Sequence, residues 1–96
     1  MASLMTIFEA NVPEEDSAEL RSRWRELTSD RPEQVTRAWL VRGLDGGDTW
    51  CSIAVWPGAD ALDEYAAAVD APPAVKSFHA VNARPEFAVF RIIAEA

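Results

Sequence analysis

The chain of 96 residues, taken here as one domain spanning residues 1–96, has 49% apolar residues, which suits one modest globular core. Its formal net charge of −7 excludes nucleic acid and an anionic membrane as partners, because both would need a basic patch. No apolar run reaches the ~18 residues of a membrane span, and the single cysteine cannot form an internal disulfide, so we expect a cytoplasmic protein in a reducing compartment.

The first predicted elements are a strand over Leu4–Asn11 and a helix that begins after Pro13. The segment before the strand has no basic region and is therefore not a secretory signal; Met1 and Met5 are both candidate starts. Pro13 ends the strand and presets φ for a helix start. The helix should end near residues 28–30, and its apolar stripe recurs at i, i+4 and i+7, in Leu20, Trp24 and Leu27.

Two strands joined by a hairpin turn follow, over residues 34–43 and from Thr49 to the stop at Pro57. The turn between them contains Gly46-Gly47, a pair that tolerates positive φ. The later strand is apolar or small on both faces: Trp50, Ser52, Ala54 and Trp56 alternate with Cys51, Ile53 and Val55. The alternation does not decide which of these faces turns toward the helices, because a register error of one residue exchanges them.

The last predicted elements are a broken helix and a strand. Asp60 is the expected N-cap of a helix with the apolar stripe Leu62, Tyr65, Ala66 and Val69. Pro72-Pro73 breaks that helix, and a short second piece over residues 74–81 turns Phe78 inward. The final strand spans residues 86–94 and is apolar on both faces apart from Arg91.

The element order βαββαβ predicts an α+β, ferredoxin-like fold: a four-stranded antiparallel sheet with two helices on one face. The second face of such a sheet is normally polar. Here either face of the third strand is apolar, as is half of the last strand, and an exposed apolar face of that extent marks an interaction surface. We therefore expect two sheets to pack face to face in a homodimer, as a closed two-subunit α/β barrel.

Four segments resemble the dimeric α/β-barrel superfamily, and within it the antibiotic-biosynthesis-monooxygenase-like domains: S-I-A-V-W, P-G-A-D-A-L-D-E-Y, P-P-A-V-K-S-F-H and N-A-R-P-E. The superfamily includes cofactor-free oxygenases, haem-degrading enzymes and members without a known reaction. The resemblance implies a protein that binds a small aromatic or apolar ligand. The leading expectation is a cofactor-independent monooxygenase acting on an aromatic or polyketide-like compound.

The resemblance also implies site residues. The quinone-forming oxygenases are similar in having a tryptophan where this chain has Trp56, but their asparagine four residues earlier is Ser52 here. The haem-degrading members are similar in an Asn–Trp–His arrangement, which maps to Asn11, Tyr65 and His79. The candidate catalytic residues are therefore Tyr65, His79 and Asn11, and the candidate ligand-binding residues are Trp56, Ser52, Trp39 and Phe78.

Three functions stay open at this point. The oxygenase needs no cofactor, and the sequence has no metal-ligand cluster. Haem binding or degradation through His79 is the first alternative. A non-catalytic ligand-binding or interaction module is the second, since each candidate residue also has an ordinary structural role on a strand or a helix.

Overall fold

A sheet of four antiparallel strands carries the helices on one face, in a computed structural model that describes residues 3–29 and 34–96. The strands lie in the order β2-β3-β1-β4. This arrangement confirms the predicted ferredoxin-like fold. In chain order the elements are β1 (Leu4–Asn11), a 3-10 turn (Glu14–Asp16), α1 (Ser17–Thr28), β2 (Arg37–Arg42), β3 (Thr49–Trp56), α2 (Ala59–Ala68), α3 (Pro73–His79) and β4 (Glu86–Arg91).

The element ends differ from the predicted ones in small ways. The N-cap of α2 is Gly58, and Asp60 lies in the first turn, where its carboxylate still faces the positive end of the helix dipole. β2 begins three residues later than predicted, and β4 ends at Arg91. Beyond β4 the chain keeps one more contact with the sheet, a 2.8 Å hydrogen bond from the Ile92 amide to the Ser3 carbonyl. The predicted end of α1 at residue 30 lies outside the described residues.

The two faces of β3 are distinct in the structure. Trp50, Ser52 and Trp56 are buried beneath the helices. The pairing with β1 places Ser52 opposite Phe8 and Ala54 opposite Thr6, so the even-numbered residues of both strands share this helix-covered face. The register thereby resolves the question that alternation alone left open.

Two apolar clusters fill the space between the sheet and the helices. The larger cluster centres on Leu20 of α1 and Phe78 of α3, which are fully buried. Burial of a side chain of this kind contributes about 1.5–3 kcal/mol, so this cluster holds α1 and α3 against one end of the sheet. The smaller cluster contains Val35, Trp56 and Tyr65 and lies under α2 at the other end, where the candidate site is found.

The face of the sheet opposite the helices is apolar and open in the single chain; we call it the open face. Its side chains alternate with those of the helix-covered face. Trp39 of β2 is 41% exposed and Phe90 of β4 is 53% exposed. The remaining apolar members of the open face are Met5, Ile7, Val41, Cys51, Ile53, Val55 and Ala88.

Candidate ligand-binding site

An apolar cavity of about 60 Å³ lies between the helix-covered face of the sheet and the helices. Its walls include Phe8 and Ala54 from the strands, Trp24 from α1 and Tyr65 from α2. A second cavity of about 280 Å³ adjoins it, shares Tyr65 and extends to Phe87 of β4. The two cavities have five lining residues in common, Thr6, Phe8, Trp56, Tyr65 and Pro72.

The local sequence explains how these walls form. The period of two along β1 and β3 turns every second side chain of each strand toward the helices. The helical spacing of Leu62 and Tyr65 turns the apolar stripe of α2 toward the same space, and Val69, the extended C-cap residue, packs there as well. Pro72 and Pro73 end that segment, because proline cannot continue a helix but begins one readily, and α3 therefore starts at the cavity wall.

Two tryptophan indoles donate hydrogen bonds to hydroxyl groups in the cavity wall. The Trp24 Nε1 donates to Ser52 Oγ over 2.9 Å, and the Trp56 Nε1 donates to Thr6 Oγ1 over 3.0 Å. Thr6, Ser52 and Trp56 are only 3%, 6% and 4% exposed. Burial of polar groups is costly unless they are paired, so these two bonds remove much of the cost of placing polar atoms in an apolar wall.

Tyr65 is the titratable residue of the smaller cavity wall within the described residues. Its ring centroid lies 5.1 Å from that of Trp56, with an interplanar angle of 48°. Burial raises the pKa of the Tyr65 hydroxyl, because an apolar environment disfavours the phenolate. Tyr65 is therefore a neutral phenol at physiological pH, able to donate a hydrogen bond or a proton to a bound molecule.

Three of the residues predicted for the site, Ser52, Trp56 and Tyr65, share the cavity wall. Ser52 is held by Trp24, and Trp56 packs against Tyr65. The cavity therefore joins two candidate ligand-binding residues to one candidate catalytic residue, and their roles toward a ligand stay predictions.

The other four predicted residues lie away from the cavity of the single chain. Asn11 is exposed at the end of β1, where its Oδ1 accepts a 3.4 Å hydrogen bond from the Thr49 hydroxyl. His79 is exposed at the end of α3, because the neighbouring Phe78 takes the inward position and fills the larger cluster. Trp39 lies on the open face. Asn11 and His79 thus do not line the cavity with Tyr65 within one chain.

Sequence reasoning did not assign Thr6 or Trp24 to the site. Thr6 is a polar residue at an inward position of β1, between the apolar Leu4 and Phe8, and this interruption of the apolar pattern was the available signal. Trp24 was placed on the apolar stripe of α1, and only the fold brings its indole to Ser52, 28 positions further along the chain.

Two kinds of feature are absent from the part of the chain that the structure describes. It has no group of three or more His, Cys, Asp or Glu residues placed to hold a metal ion. It also has no helix that is long and apolar enough to cross a membrane.

Comparison with known proteins finds similar solved structures but no matching sequence or family model. No protein-family model and no curated protein sequence matches the chain. Among solved structures, SnoaB, a cofactor-independent oxygenase from Streptomyces nogalater, superimposes with a TM-score of 0.74 and 21% identity, over 97% of this chain and 95% of that one.

Two further structures show the range of functions on this fold. A haem-degrading protein from Mycobacterium tuberculosis gives a TM-score of 0.75 at 13% identity, covering 99% of this chain and 96% of that one. A candidate antibiotic biosynthesis monooxygenase from Bordetella bronchiseptica gives 0.76 at 11% identity, covering 98% of this chain and all of that one, 100%. The chain therefore has the fold of the antibiotic-biosynthesis-monooxygenase-like proteins, as its sequence motifs predicted.

Proposed function

We propose that the protein is a cytoplasmic, homodimeric α/β-barrel protein that binds a small aromatic or polyketide-like compound and oxidises it as a cofactor-independent monooxygenase. The observation that carries this proposal is the smaller apolar cavity. The polar side-chain groups of its described wall are neutral: the Tyr65 phenol, the indoles of Trp24 and Trp56 with their two hydroxyl partners, and the Thr28 hydroxyl. The likeness in fold to a cofactor-independent oxygenase supports it.

In this reaction the substrate itself supplies the electrons. A hydroxylated anthrone-like compound, as its phenolate or enolate, reduces dioxygen; one oxygen atom becomes a new ring carbonyl, the other leaves as water, and the ring carbon loses two hydrogens. The protein contributes binding, orientation and the exclusion of water. Tyr65 donates a hydrogen bond to the substrate oxygen. Asp70, an exposed residue, lines the larger cavity and is our candidate acceptor for the substrate proton.

The dimer is proposed from the open face. A stable dimer buries about 800 Å² on each partner, and a four-stranded face that presents Trp39, Ile53 and Phe90 offers a surface of this kind. Face-to-face packing of two such sheets would cover these side chains and close the barrel. Light scattering at micromolar concentration should give twice the chain mass of 10.6 kDa, and a clean monomer would refute the closed barrel.

The oxygenase is tested by following dioxygen consumption with a hydroxylated anthrone, under air and under anaerobic conditions, with chelator present throughout. We expect uptake above the spontaneous rate that falls at least tenfold in Tyr65→Phe, since a positioned proton donor typically contributes about 10²–10⁴-fold. The control, Glu64→Gln, alters an exposed side chain next to Tyr65 on α2 that lines neither cavity. Binding of the anthrone without dioxygen consumption would instead favour the non-catalytic ligand-binding module.

Haem degradation through His79 is less well supported by the geometry. The histidine is exposed at the end of α3 and lines neither of the two cavities, so the cavity walls do not supply an axial histidine ligand for haem. A haem titration tests this alternative. A Soret band that shifts on binding and is lost in His79→Ala would favour it over the oxygenase.

A further inference from the structure

Each of the two indole-bound hydroxyls in the cavity has an unused proton. A serine or threonine hydroxyl has one hydrogen to donate and two lone pairs that accept. Ser52 Oγ and Thr6 Oγ1 both accept from an indole N–H. Neither hydroxyl donates to any acceptor in the described residues, although both residues are more than nine-tenths buried. Their hydrogens are thus unpaired polar groups in the cavity wall.

We propose that Thr6 and Ser52 are the selectivity-determining residues of the cavity, because their hydroxyls, oriented by Trp56 and Trp24, donate hydrogen bonds to an oxygen acceptor on an uncharged ring ligand. The inference rests on the proposed function of the cavity as a ligand-binding site. It identifies the two hydroxyl groups as the atoms that contact the ligand, and an oxygen acceptor as the property of the ligand that they select. It does not depend on whether oxidation follows.

The sheet register brings the two hydroxyls within reach of one ligand. Thr6 lies opposite Ala54 and Ser52 lies opposite Phe8, so the two residues form a diagonal pair on neighbouring strands. The Cα atoms of such pairs are about 7–8 Å apart and their side chains are closer. A carbonyl oxygen that lies between the two strands can accept from both hydroxyls with its two lone pairs, while the fused rings lie against the aromatic wall.

The indole bonds fix the direction in which the hydroxyls donate. A free hydroxyl rotates to suit its surroundings, but an indole N–H that occupies one lone pair at 2.9–3.0 Å turns the hydroxyl hydrogen away from the indole. An oriented donor loses less freedom when a ligand binds, which is the general advantage of a preorganised site. The described wall of the smaller cavity has no Lys or Arg side chain, so an anionic ligand would lack a counter-charge there.

A ligand without an oxygen acceptor should bind poorly, because it cannot pair the two buried hydroxyl donors. It would displace water from the two hydroxyls and leave both donors buried and unpaired. Each unpaired donor lowers the affinity by about tenfold or more. Apolar burial alone works in the opposite direction, because a hydrocarbon gains more from leaving water than its ketone does. The preference between a ketone and its parent hydrocarbon therefore separates hydrogen-bond selectivity from simple partitioning.

The test compares 1-tetralone with tetralin, which has the same ring skeleton but a CH₂ group in place of the carbonyl. Binding to the full chain is followed by the NMR signals of the indole N–H groups, assigned by Trp→Phe variants. We expect 1-tetralone to bind at least about tenfold more tightly and to shift the signals of Trp24 and Trp56. Tetralin should leave those two signals nearly unchanged.

Three variants and a control locate the effect. Ser52→Ala and Thr6→Val should each reduce the tetralone-to-tetralin preference several-fold, whereas Ser22→Ala on the exposed side of α1 should keep it. Trp24→Phe keeps the Ser52 hydroxyl but frees its rotation, so it should weaken tetralone binding less than Ser52→Ala does. This variant keeps the proposal testable if loss of a hydroxyl prevents folding.

Equal affinity for the two compounds, tighter binding of tetralin, or no binding of either would overturn the proposal. A preference that survives both Ser52→Ala and Thr6→Val would overturn it too. Because the readout is binding without dioxygen, its failure is distinguishable from that of the oxygenase. Dioxygen consumption with an anthrone and no preference for tetralone would leave the proposed reaction standing and remove this selectivity mechanism.

Discussion

Replacing Thr6 with valine tests the buried bond between Trp56 and Thr6 as a determinant of stability. Valine matches the shape of threonine but cannot accept a hydrogen bond, so the Trp56 Nε1–H would lose the partner it contacts at 3.0 Å. Both residues are almost fully buried, and water cannot readily replace the missing acceptor. The expected result is destabilisation of the folded state without a change in its architecture.

The magnitude follows from two opposing contributions. An unpaired buried donor costs about 1–3 kcal/mol. The added methyl group in place of the hydroxyl returns up to about 0.8 kcal/mol of apolar burial. The free energy of unfolding should therefore fall by about 1–2 kcal/mol. For a domain of this size, each kcal/mol lowers Tm by about 4–8 °C, so the change is easily measured.

The assay is urea unfolding at one fixed protein concentration, because association would make stability depend on concentration. The urea midpoint of Thr6→Val should fall while the slope stays the same. Thr49→Val, at an exposed strand position, is the control and should change stability by no more than about 0.5 kcal/mol. Repeating Thr6→Val in a Trp56→Phe background removes the donor and should remove most of the cost. An equal loss in both backgrounds would refute the reasoning.

Three further predictions concern the open face and the titrating groups. Ile53→Lys should convert the dimer to a monomer in light scattering, whereas Glu64→Lys on exposed α2 surface should not; an intact Ile53→Lys dimer would move the interface elsewhere. The raised pKa of Tyr65 keeps its hydroxyl protonated in the folded state at pH values where the tyrosine of the unfolded chain ionises. The free energy of unfolding should therefore fall as the pH rises through about 10. Urea midpoints should fall less over that range in Tyr65→Phe, and parallel curves would contradict this. Burial and a hydrogen bond to Glu9 raise the pKa of the Cys51 thiol, so iodoacetamide should alkylate it more slowly than it alkylates free cysteine at pH 8; an equal rate would contradict the burial.

The strands and helices were predictable because their signals are local. The alternation in β1 and the stop at Pro57 gave bounds that the structure repeats, Leu4–Asn11 and Thr49–Trp56. The break at Pro72 and Pro73 likewise separates α2 from α3. Proline and the period of two act through nearest neighbours in the chain, which is why a single sequence carries this information.

The site was harder to predict because it depends on register and on distant pairs. Asn11 is an odd-numbered residue of β1 and therefore lies on the face away from Tyr65, which only the pairing with β3 establishes. The hydrogen bond between Trp24 and Ser52 joins a helix to a strand, and no local pattern marks it. His79 follows the inward Phe78, so a shift of one residue in a seven-residue helix decides whether the histidine is exposed.

The alternation along β3 separates the proposed dimer interface from the proposed ligand-binding site. Its even-numbered residues line the cavity and its odd-numbered residues form the open face, so dimerisation and ligand binding use different sides of the same strand. Both hydroxyls and the indoles that orient them belong to one chain, and a monomeric Ile53→Lys variant should therefore still prefer 1-tetralone to tetralin. Loss of that preference on dissociation would mean that closing the barrel holds β3 in place, and that Ser52 is oriented by the partner sheet as well as by Trp24.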